Sequence, residues 1–255
     1  MTEPATDDLQ FPLGTDVRVL TRAPGGLLAF DKPAGVLSHP NMNSEQPRAL
    51  LTCDYSIAGE FFSWQDAAGT LRRIWLLNRL DSHTSGVILG VLDNGELAKA
   101  IRALFLHKHI RKVYHALVIG KPSQAKAVWS DRLEIVKKGG QVRSVAGRGI
   151  PSEAEVRVMQ QRRDSEAALT LIELTPRTGR SHQLRVQCAH RKLPIVGDAT
   201  YGDFKANRAL AKATGVKRLC LHSHETTFDY EYAGKVVKFS AKAPTPKEFF
   251  TLLGG

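Results

Sequence analysis

Cysteine is scarce in this 255-residue chain, which has three residues of this type, far apart, at positions 53, 188 and 220. We therefore expect neither a disulfide framework nor CxxC redox chemistry. We expect a reducing, cytoplasmic environment. Long apolar runs are missing as well. The longest, over residues 86–92, is far shorter than the roughly 20 residues that cross a bilayer. The acidic, polar N-terminus does not have the pattern of a signal peptide, so no membrane association is expected.

The signatures of several common enzyme classes are also missing. No GxGxxG, GxxxxGK[ST] or GxSxG string occurs, which removes the usual marks of dinucleotide-binding folds, P-loop NTPases and α/β-hydrolases. The segment HSHE at 222–225 begins like an HExxH zinc motif, but position 228 is Phe. His107 and His109 have no third and fourth ligand at metal-like spacing. The sequence predicts neither a metal nor an organic cofactor.

Negative charge is in deficit, with 25 Asp+Glu against 36 Lys+Arg and a formal net charge of +11. Such an excess fits a polyanionic partner such as nucleic acid, and it equally fits a basic, solvated surface. The hydrophobic fraction of 42% and the charged fraction of 24% are those of an ordinary globular protein. Charge alone does not decide between a nucleic-acid partner and a basic, solvated surface.

Apolar periodicity and turn residues predict an α+β fold. Strands are predicted at 17–20, 27–30, 74–80, 86–92, 113–119, 153–159, 168–174, 219–224 and 236–240. Helices are predicted over 47–58, from a cap at Asp93 or Asn94 to about 107, over 182–190 and from about 246. The segments 31–35, 59–71 and the basic stretch 137–149 are predicted as loops. Because helices and strands do not alternate regularly, a mixed, mainly antiparallel sheet is favoured. Residues 1–15 are predicted as a flexible lead-in and 16–255 as one domain.

The most informative run is NRLDSHTSG at 78–86, which leads directly into an apolar strand. The pattern places Asp81 in the turn between two apolar strands, with Arg79 two residues before it. One interpretation is a carboxylate in a polarised active site. The other is a turn cap that pairs with Arg79.

Four blocks in order resemble the RluA-type pseudouridine synthase family. Residues 79–86 resemble its RLDxxTSG signature, and 32–40 resemble its KPAG…HP segment. Residues 112–120 resemble the block with the family's active-site tyrosine. Residues 175–186 resemble the TGR[ST]HQ[IL]RV segment, which PIVGD and YGD at 194–203 complete. The blocks span residues 17 to about 250.

The resemblance implies the family's catalytic fold, a mixed sheet flanked by helices and loops with a central active-site cleft. It implies that Asp81 is essential, either as a nucleophile on the ribose or as a base towards it. Arg185 is implied as the cation beside Asp81, with Arg180 as a rival. Tyr114 is implied to face the flipped uracil, where an aromatic ring stacks well on a base.

The partner implied is an rRNA or tRNA stem-loop bound by a monomer. Arg79 is expected to fill the gap left by the flipped base or to bind its phosphate. Further expected contacts to the substrate are Thr84, Arg180, His182, Gln183, Lys32 and Lys112. Two basic clusters, 108–112 and 137–148, and the pair Arg191-Lys192 are candidates for phosphate binding.

The sequence departs from the family pattern at Asn78 and Gln187, where the family usually has His. The 15 to 25 residues before the first block leave no room for an S4-type RNA-binding domain, so the chain resembles the minimal, catalytic-domain members. Two other functions stay open: an RNA-binding module without chemistry, and a glycoside-bond hydrolase with paired carboxylates.

Overall fold

The structure, a computed structural model, describes residues 9–138, 141–162 and 168–254. In these ranges the chain forms strands and helices in mixed order, which confirms the α+β prediction. The strands are β1 (Arg18–Ala23), β2 (Leu27–Lys32), β3 (Asp54–Ser56), β4 (Phe61–Gln65), β5 (Leu71–Leu76), β6 (Ser85–Leu92), β7 (Arg111–Ile119), β8 (Lys126–Lys138), β9 (Gln141–Ala146), β10 (Ile150–Arg162), β11 (Leu169–Pro176), β12 (Leu221–Tyr232) and β13 (Lys235–Lys242). The helices are α1 (Gly95–Leu106), α2 (Gln183–His190), α3 (Phe204–Thr214) and α4 (Lys247–Leu253).

These elements belong to two compact units, which are described separately. Unit one contains the residues up to Ile110 together with Glu225–Ala243. Unit two contains Arg111–His224 and the residues from Pro244 onward.

In unit one, antiparallel pairing joins β1 to β2, β2 to β6, β6 to β5, β5 to β4 and β4 to β3. Every residue of β6 is buried, as the apolar run at 86–92 predicts. Lys32 at the end of β2 is the register partner of Gly86 at the start of β6. The loop that leaves β2 and the loop that enters β6 therefore emerge at the same edge of the sheet.

Helix α1 closes the core of unit one and begins where the sequence predicts. The Asn94 side chain accepts a hydrogen bond from the Leu97 amide at 3.0 Å, which satisfies a helix-terminal donor. The helix buries Leu97, Ala98 and Ile101 in a cluster with strand residues such as Leu89. At 12 residues α1 is the longest α-helix in the described ranges, and none of these helices has both the length and the apolar composition of a membrane-spanning segment.

In unit two, antiparallel pairing gives the strand order β7, β11, β10, β8, β9. Tyr114 on β7 lies opposite Leu174 on β11. Helix α2 follows β11 after a short turn and contributes the buried residues Leu184 and Cys188 to the core, and α4 contributes Phe249. The order of elements places the turn at 177–182 at the end of β11 and at the start of α2.

The predicted helix over 47–58 is wrong. A short 3-10 helix, Asn43–Arg48, contains Pro47, and the chain then runs extended towards β3. Leu50 is fully buried, and it donates a hydrogen bond to the Leu37 carbonyl at 2.8 Å and accepts one from the Gly14 amide at 2.8 Å. Pairing with two distant segments therefore overrides the local helical pattern.

Two predicted loops are also wrong. Residues 59–71 contain β4, and 137–149 overlap the β8–β9 hairpin, in which Val136 pairs with Arg143; residues 139 and 140 lie outside the described residues. Of the predicted lead-in over 1–15, residues 1–8 lie outside them too. Its later part packs onto unit one, where the Phe11 ring lies 6.2 Å from that of Phe30.

Candidate active site

In unit one, the loop between β5 and β6 carries Asp81, and Asn78 fixes the entry to that loop. The Asn78 side-chain oxygen accepts a hydrogen bond from the Leu89 amide at 2.8 Å, and the Leu77 amide donates to the Leu89 carbonyl at 3.0 Å. Asn78, which departs from the family pattern, thus ties the loop to β6. Asp81 is half-buried, and its carbonyl accepts from the Thr84 amide at 3.0 Å.

Ser38 holds the backbone immediately before Asp81. Its buried hydroxyl donates to the Leu80 carbonyl at 2.8 Å and accepts from the Leu80 amide at 3.0 Å. A single side chain therefore satisfies both backbone polar groups of a buried residue. The sequence did not point to Ser38, although it lies inside the KPAG…HP segment.

Lys32 holds the backbone immediately after Asp81. Its side chain is fully buried, and its ammonium donates to the carbonyls of Pro33 at 3.0 Å, Val36 at 2.6 Å and Ser82 at 3.0 Å. The ammonium is thus enclosed by protein carbonyls, and the predicted contact of Lys32 with RNA stays a prediction. A buried cation of this kind is tolerated only when it is fully hydrogen-bonded.

Gly35 completes the contacts around Ser82. Its amide donates to the Ser82 carbonyl at 2.8 Å, and its φ of +91° lies in the left-handed region that favours glycine. The segment after β2 therefore serves as a brace for the Asp81 loop, with Ser38 on one side of Asp81 and Lys32 and Gly35 on the other.

The two other residues predicted near Asp81 differ in exposure. Thr84 is buried, at 3% exposure, and its predicted contact with RNA stays a prediction. Arg79 is exposed, and its guanidinium lies 3.4 Å from the His39 ring nitrogen; the His39 ring in turn stacks on Tyr55 at 4.9 Å. The contact that the structure gives Arg79 is thus with His39, on the exposed side of the loop.

In unit two, Arg185 on α2 is held by Asp198. The guanidinium makes a bidentate pair, with Nε and Nη2 each 2.8 Å from one oxygen of the Asp198 carboxylate. Both side chains are nearly buried, at 10% and 1% exposure. Arg185 also lies over the Tyr201 ring, 5.1 Å from its centroid. The sequence matched Asp198 and Tyr201 to the family motif but assigned them no role.

The Asp198 carboxylate is ionised in this setting. Burial raises its pKa, but the hydrogen bonds from Arg185 and from the amides of Tyr201 and Thr200 outweigh burial, so that the pKa lies below its ordinary value of 3.8. The Thr200 amide donates to Oδ1 at 2.8 Å and the Tyr201 amide at 2.9 Å. Gly197, with a φ of +74°, makes the turn; a side chain there would strike the Arg218 carbonyl. The turn at 197–201 thus fixes the position of Arg185.

Gln183 organises the turn before α2. It is buried, at 4% exposure; its side-chain oxygen accepts from the Thr178 hydroxyl at 2.7 Å and the Arg180 amide at 3.1 Å, and its amide group donates to the Glu153 carbonyl at 3.0 Å. The hydrogen bonds of the Gln183 side chain therefore lie within the protein, and its predicted RNA contact stays a prediction. The Arg180 side chain is exposed, unlike that of Arg185, its rival for the role beside Asp81.

His182, at the start of α2, is half-buried, with its Nδ1 2.9 Å from the Tyr201 hydroxyl. Its backbone is left-handed, with a φ of 54°. The Ser144 amide of β9 donates to the same hydroxyl at 3.1 Å, and the Ser144 hydroxyl donates to the Ser181 carbonyl at 2.8 Å. The hairpin that the sequence had predicted as a loop is thus bonded to the start of the helix that carries Arg185.

Tyr114 and Lys112 lie on β7. Both are half-buried, and Tyr114 packs against the core cluster of unit two. Burial lowers the pKa of Lys112. Its ammonium lies near the turn before α2, because a Cβ built on Gly179 would be 3.6 Å from Nζ. The structure therefore brings Lys112 to the Thr-Gly-Arg turn within unit two.

In unit one the predicted residues lie around the Asp81 loop, and in unit two most of them lie around the start of α2, with Tyr114 on β7 against the core. A contact of Asp81 with Arg185 or Tyr114 would join the two units and stays a prediction, as does the central cleft. Within the described residues, no group of three or more His, Cys, Asp or Glu side chains could hold a metal ion.

Sequence comparison finds one protein family and many relatives with the same chemistry in their names. The family described as RNA pseudouridylate synthase matches residues 26–190. The chain is 30% identical over 219 residues to "tRNA pseudouridine synthase C" of Salmonella typhi. The aligned region covers 82% of this chain and 79% of that protein. It is 35% identical over 173 residues to "Ribosomal large subunit pseudouridine synthase C" of Escherichia coli (strain K12), covering 67% of this chain and 53% of that protein.

Solved structures support the fold. "Human RNA Pseudouridylate Synthase Domain Containing 1" matches with a TM-score of 0.67 at 19% identity, over 99% of this chain and 90% of the other. "Human RNA Pseudouridylate Synthase Domain Containing 4" matches with a TM-score of 0.63 at 21% identity, over 92% of this chain and 91% of the other. At such identities the likeness concerns the fold alone.

Proposed function

Because the chain belongs to the RluA-type family of RNA pseudouridine synthases, which are isomerases, we propose that it converts specific uridines of tRNA or rRNA to pseudouridine, with Asp81 as the essential carboxylate. The reaction breaks the bond from the ribose to a uracil ring nitrogen, rotates the base and rejoins it through carbon 5. Carbon 5 loses a proton, and the freed ring nitrogen gains one. No atom is gained or lost overall.

The observation that carries the proposal is the bracing of the Asp81 loop. Leu80 is held through both of its backbone polar groups by Ser38, and Ser82 is held by the buried Lys32 ammonium. Catalysis requires that the reacting group be held in place before the substrate arrives. A half-buried carboxylate between two such anchors suits a nucleophile on the ribose or a base towards it.

Arg185 is proposed as the cation that faces Asp81. Its pair with Asp198 uses Nε–H and one N–H of Nη2, and a guanidinium has five N–H donors in a fixed plane. The remaining donors have a defined direction because the bidentate pair fixes that plane. An opposite charge nearby favours the ionised form of a carboxylate.

Tyr114 is proposed to stack on the uracil after the nucleotide leaves the RNA helix. Base flipping costs a few kcal/mol for unstacking, and an aromatic platform returns about 1–3 kcal/mol per base. Its ring is packed against the core on β7, and a ring so supported loses little freedom on binding. Arg79, exposed beside the Asp81 loop, is proposed to occupy the gap in the helix or to bind the adjacent phosphate.

Both RNA classes are carried forward as substrates because the relatives' names divide between them. The Salmonella relative is named for tRNA and the Escherichia coli relative for the large ribosomal subunit. Choice among stem-loops depends on RNA shape and on flanking contacts. Release of tritium from RNA labelled at uracil carbon 5 measures the reaction directly, and tRNA and rRNA from a strain that lacks the gene are the substrates.

The deciding experiment compares the wild type with Asp81→Asn and with Asp54→Asn, a matched change at an exposed position of β3. We expect tritium release by the wild type and by Asp54→Asn, and none by Asp81→Asn, whose RNA affinity and urea midpoint stay unchanged. Full activity of Asp81→Asn would overturn the role of Asp81. RNA binding by the wild type without tritium release would indicate a binding module, and free uracil would indicate a glycoside-bond hydrolase.

A further inference from the structure

Helix α3 has an exposed face that the fold of unit two does not use. None of its 11 residues is buried. The exposed side chains include an aromatic residue, Phe204, at 57% exposure, and three cations, Lys205, Arg208 and Lys212. This helix lies outside the segment that matches the family, and sequence periodicity did not predict it.

These four side chains share one side of the helix. At about 100° per residue, they fall within an arc of about 100° around the axis. Asn207 lies outside this arc, and Leu210 lies on the opposite side of the helix, where it packs against the core cluster of unit two. We call Phe204, Lys205, Arg208 and Lys212 the α3 face.

The α3 face carries three positive charges and no negative one. From Phe204 to His224 the sequence has five Lys or Arg and no Asp or Glu. The carboxylate of Asp203, just before the helix, accepts from the amides of Lys205 and Ala206 at 3.0 and 2.9 Å and so serves as the helix cap. Among the described residues, no ion pair involves the three cations of the face.

The helix is braced against the turn that holds Arg185. The Asn207 side chain accepts from the Gly197 amide at 2.9 Å and donates to the Asp198 carbonyl at 3.2 Å. The carboxylate of that same Asp198 pairs with Arg185. The α3 face therefore has a fixed position relative to the guanidinium that we propose to act on Asp81.

We propose that the α3 face binds the substrate RNA outside the flipped nucleotide, with an unpaired base stacked on Phe204 and flanking phosphates bound by the three cations. An exposed aromatic ring among cations is the arrangement that binds single-stranded segments, since bases stack and phosphates pair with Lys and Arg. The identity of the RNA rests on the proposed function, while the binding itself does not.

Salt dependence tests the cations. The variant Lys205→Gln/Arg208→Gln/Lys212→Gln should reduce the slope of log affinity against log salt by about 2, given about 0.7 per phosphate contact on a single strand. Between 50 and 200 mM salt, wild-type affinity for tRNA or rRNA from the deletion strain should then fall about 20-fold further than that of the variant. A matched control, Lys99→Gln/Lys235→Gln/Lys238→Gln, removes three exposed cations of unit one and should keep the wild-type slope.

Substitution of Phe204 tests stacking. Phe204→Ala should weaken RNA binding by about 5- to 150-fold at every salt concentration, and Phe204→Trp should bind like the wild type. Unchanged binding by Phe204→Ala, or equal slopes for the cation variant, its control and the wild type, would overturn the proposal. The proposal would also be overturned if the cation variant kept its RNA affinity but no longer bound phosphatidylglycerol vesicles. That result would indicate that the α3 face binds lipid.

These measurements separate the two proposals. They record RNA binding alone, so they remain decisive if the wild type releases no tritium and the proposed function fails. If the wild type does release tritium, the cation variant should raise KM and keep kcat, because the α3 face contacts RNA away from the reacting base.

Discussion

Replacing Asp198 by Asn should destabilise unit two by about 3 kcal/mol. The change leaves the Arg185 guanidinium, 10% exposed, against a neutral amide in the interior. Loss of one partner from a buried ion pair costs about 3–5 kcal/mol. The lower end is expected because the Asn side-chain oxygen still accepts from the amides of Thr200 and Tyr201, which donate to Oδ1 in the wild type.

Urea unfolding of the purified protein measures this loss. Asp203→Asn is the matched control, because that side chain caps α3 from an exposed position and Asn caps as well as Asp; it should change stability by less than about 0.5 kcal/mol. The double variant Arg185→Gln/Asp198→Asn removes both charges. Its loss should fall short of the sum of the single losses by at least about 1.5 kcal/mol, since charges in contact couple.

The pH dependence has a definite sign. The folded-state pKa of Asp198 lies below its ordinary value of 3.8, so the ionised carboxylate stabilises the fold above that value, and its contribution disappears as the pH falls through the folded-state pKa. The gap between the wild type and Asp198→Asn should be constant from pH 7 to 5 and shrink below about pH 4. A gap under about 0.5 kcal/mol at pH 7, or one that grows in acid, would refute the reasoning.

Three further predictions concern unit one and the thiols. Lys32→Met should lower the free energy of unfolding by at least about 3 kcal/mol, because three carbonyls lose their donor at about 1–3 kcal/mol each; an unchanged urea midpoint would contradict the bracing. Asn94→Ala should cost about 1 kcal/mol and Asn94→Asp almost nothing, with equal tritium release. At pH 8 the folded protein should react slowly with a thiol reagent and the unfolded protein at three sites, because burial raises the pKa of Cys53 and Cys220 to about 12 and also raises that of Cys188; a fast thiol in the folded protein would argue against this.

Features determined by neighbouring residues could be predicted from the sequence. The Asn94 cap and the start of α1 depend on four consecutive residues. Strand β6 could be predicted from a continuous apolar run, and it is buried throughout. The short helix after the Thr-Gly-Arg turn was placed correctly as well, since α2 spans Gln183–His190. In each case the local pattern and the tertiary environment favour the same conformation.

Features that depend on contacts with distant residues could not be predicted from the sequence. The helix predicted over 47–58 has the right apolar spacing, but Leu50 pairs with backbone near residues 14 and 37. The β8–β9 hairpin was predicted as a loop from its Gly and Arg content, although strand pairing and the bond from Ser144 to Tyr201 define it. Composition reports what a segment is able to do alone, and these segments are fixed by contacts with others.

The motif matches predicted which residues form the site, but not how several of their side chains are bonded within the protein. Lys32 and Gln183 were predicted to contact RNA because they lie in the family's motifs. In the structure their side chains form hydrogen bonds with protein groups, namely backbone carbonyls, a hydroxyl and an amide. A sequence motif records that a side chain is required and does not record its direction.

We therefore expect most of the RNA-binding surface to lie outside the signature blocks, with Arg79 of the RLDxxTSG segment as an exception. The blocks hold the backbone on both sides of Asp81 and fix Arg185, tasks that are the same for every uridine that the family's reaction accepts. We therefore expect recognition of a particular RNA to depend largely on exposed residues outside the blocks. The α3 face meets that condition, because it is exposed and lies beyond the matched segment. Exchanging the α3 face between two enzymes of this family should therefore alter RNA affinity while the isomerisation chemistry at Asp81 persists.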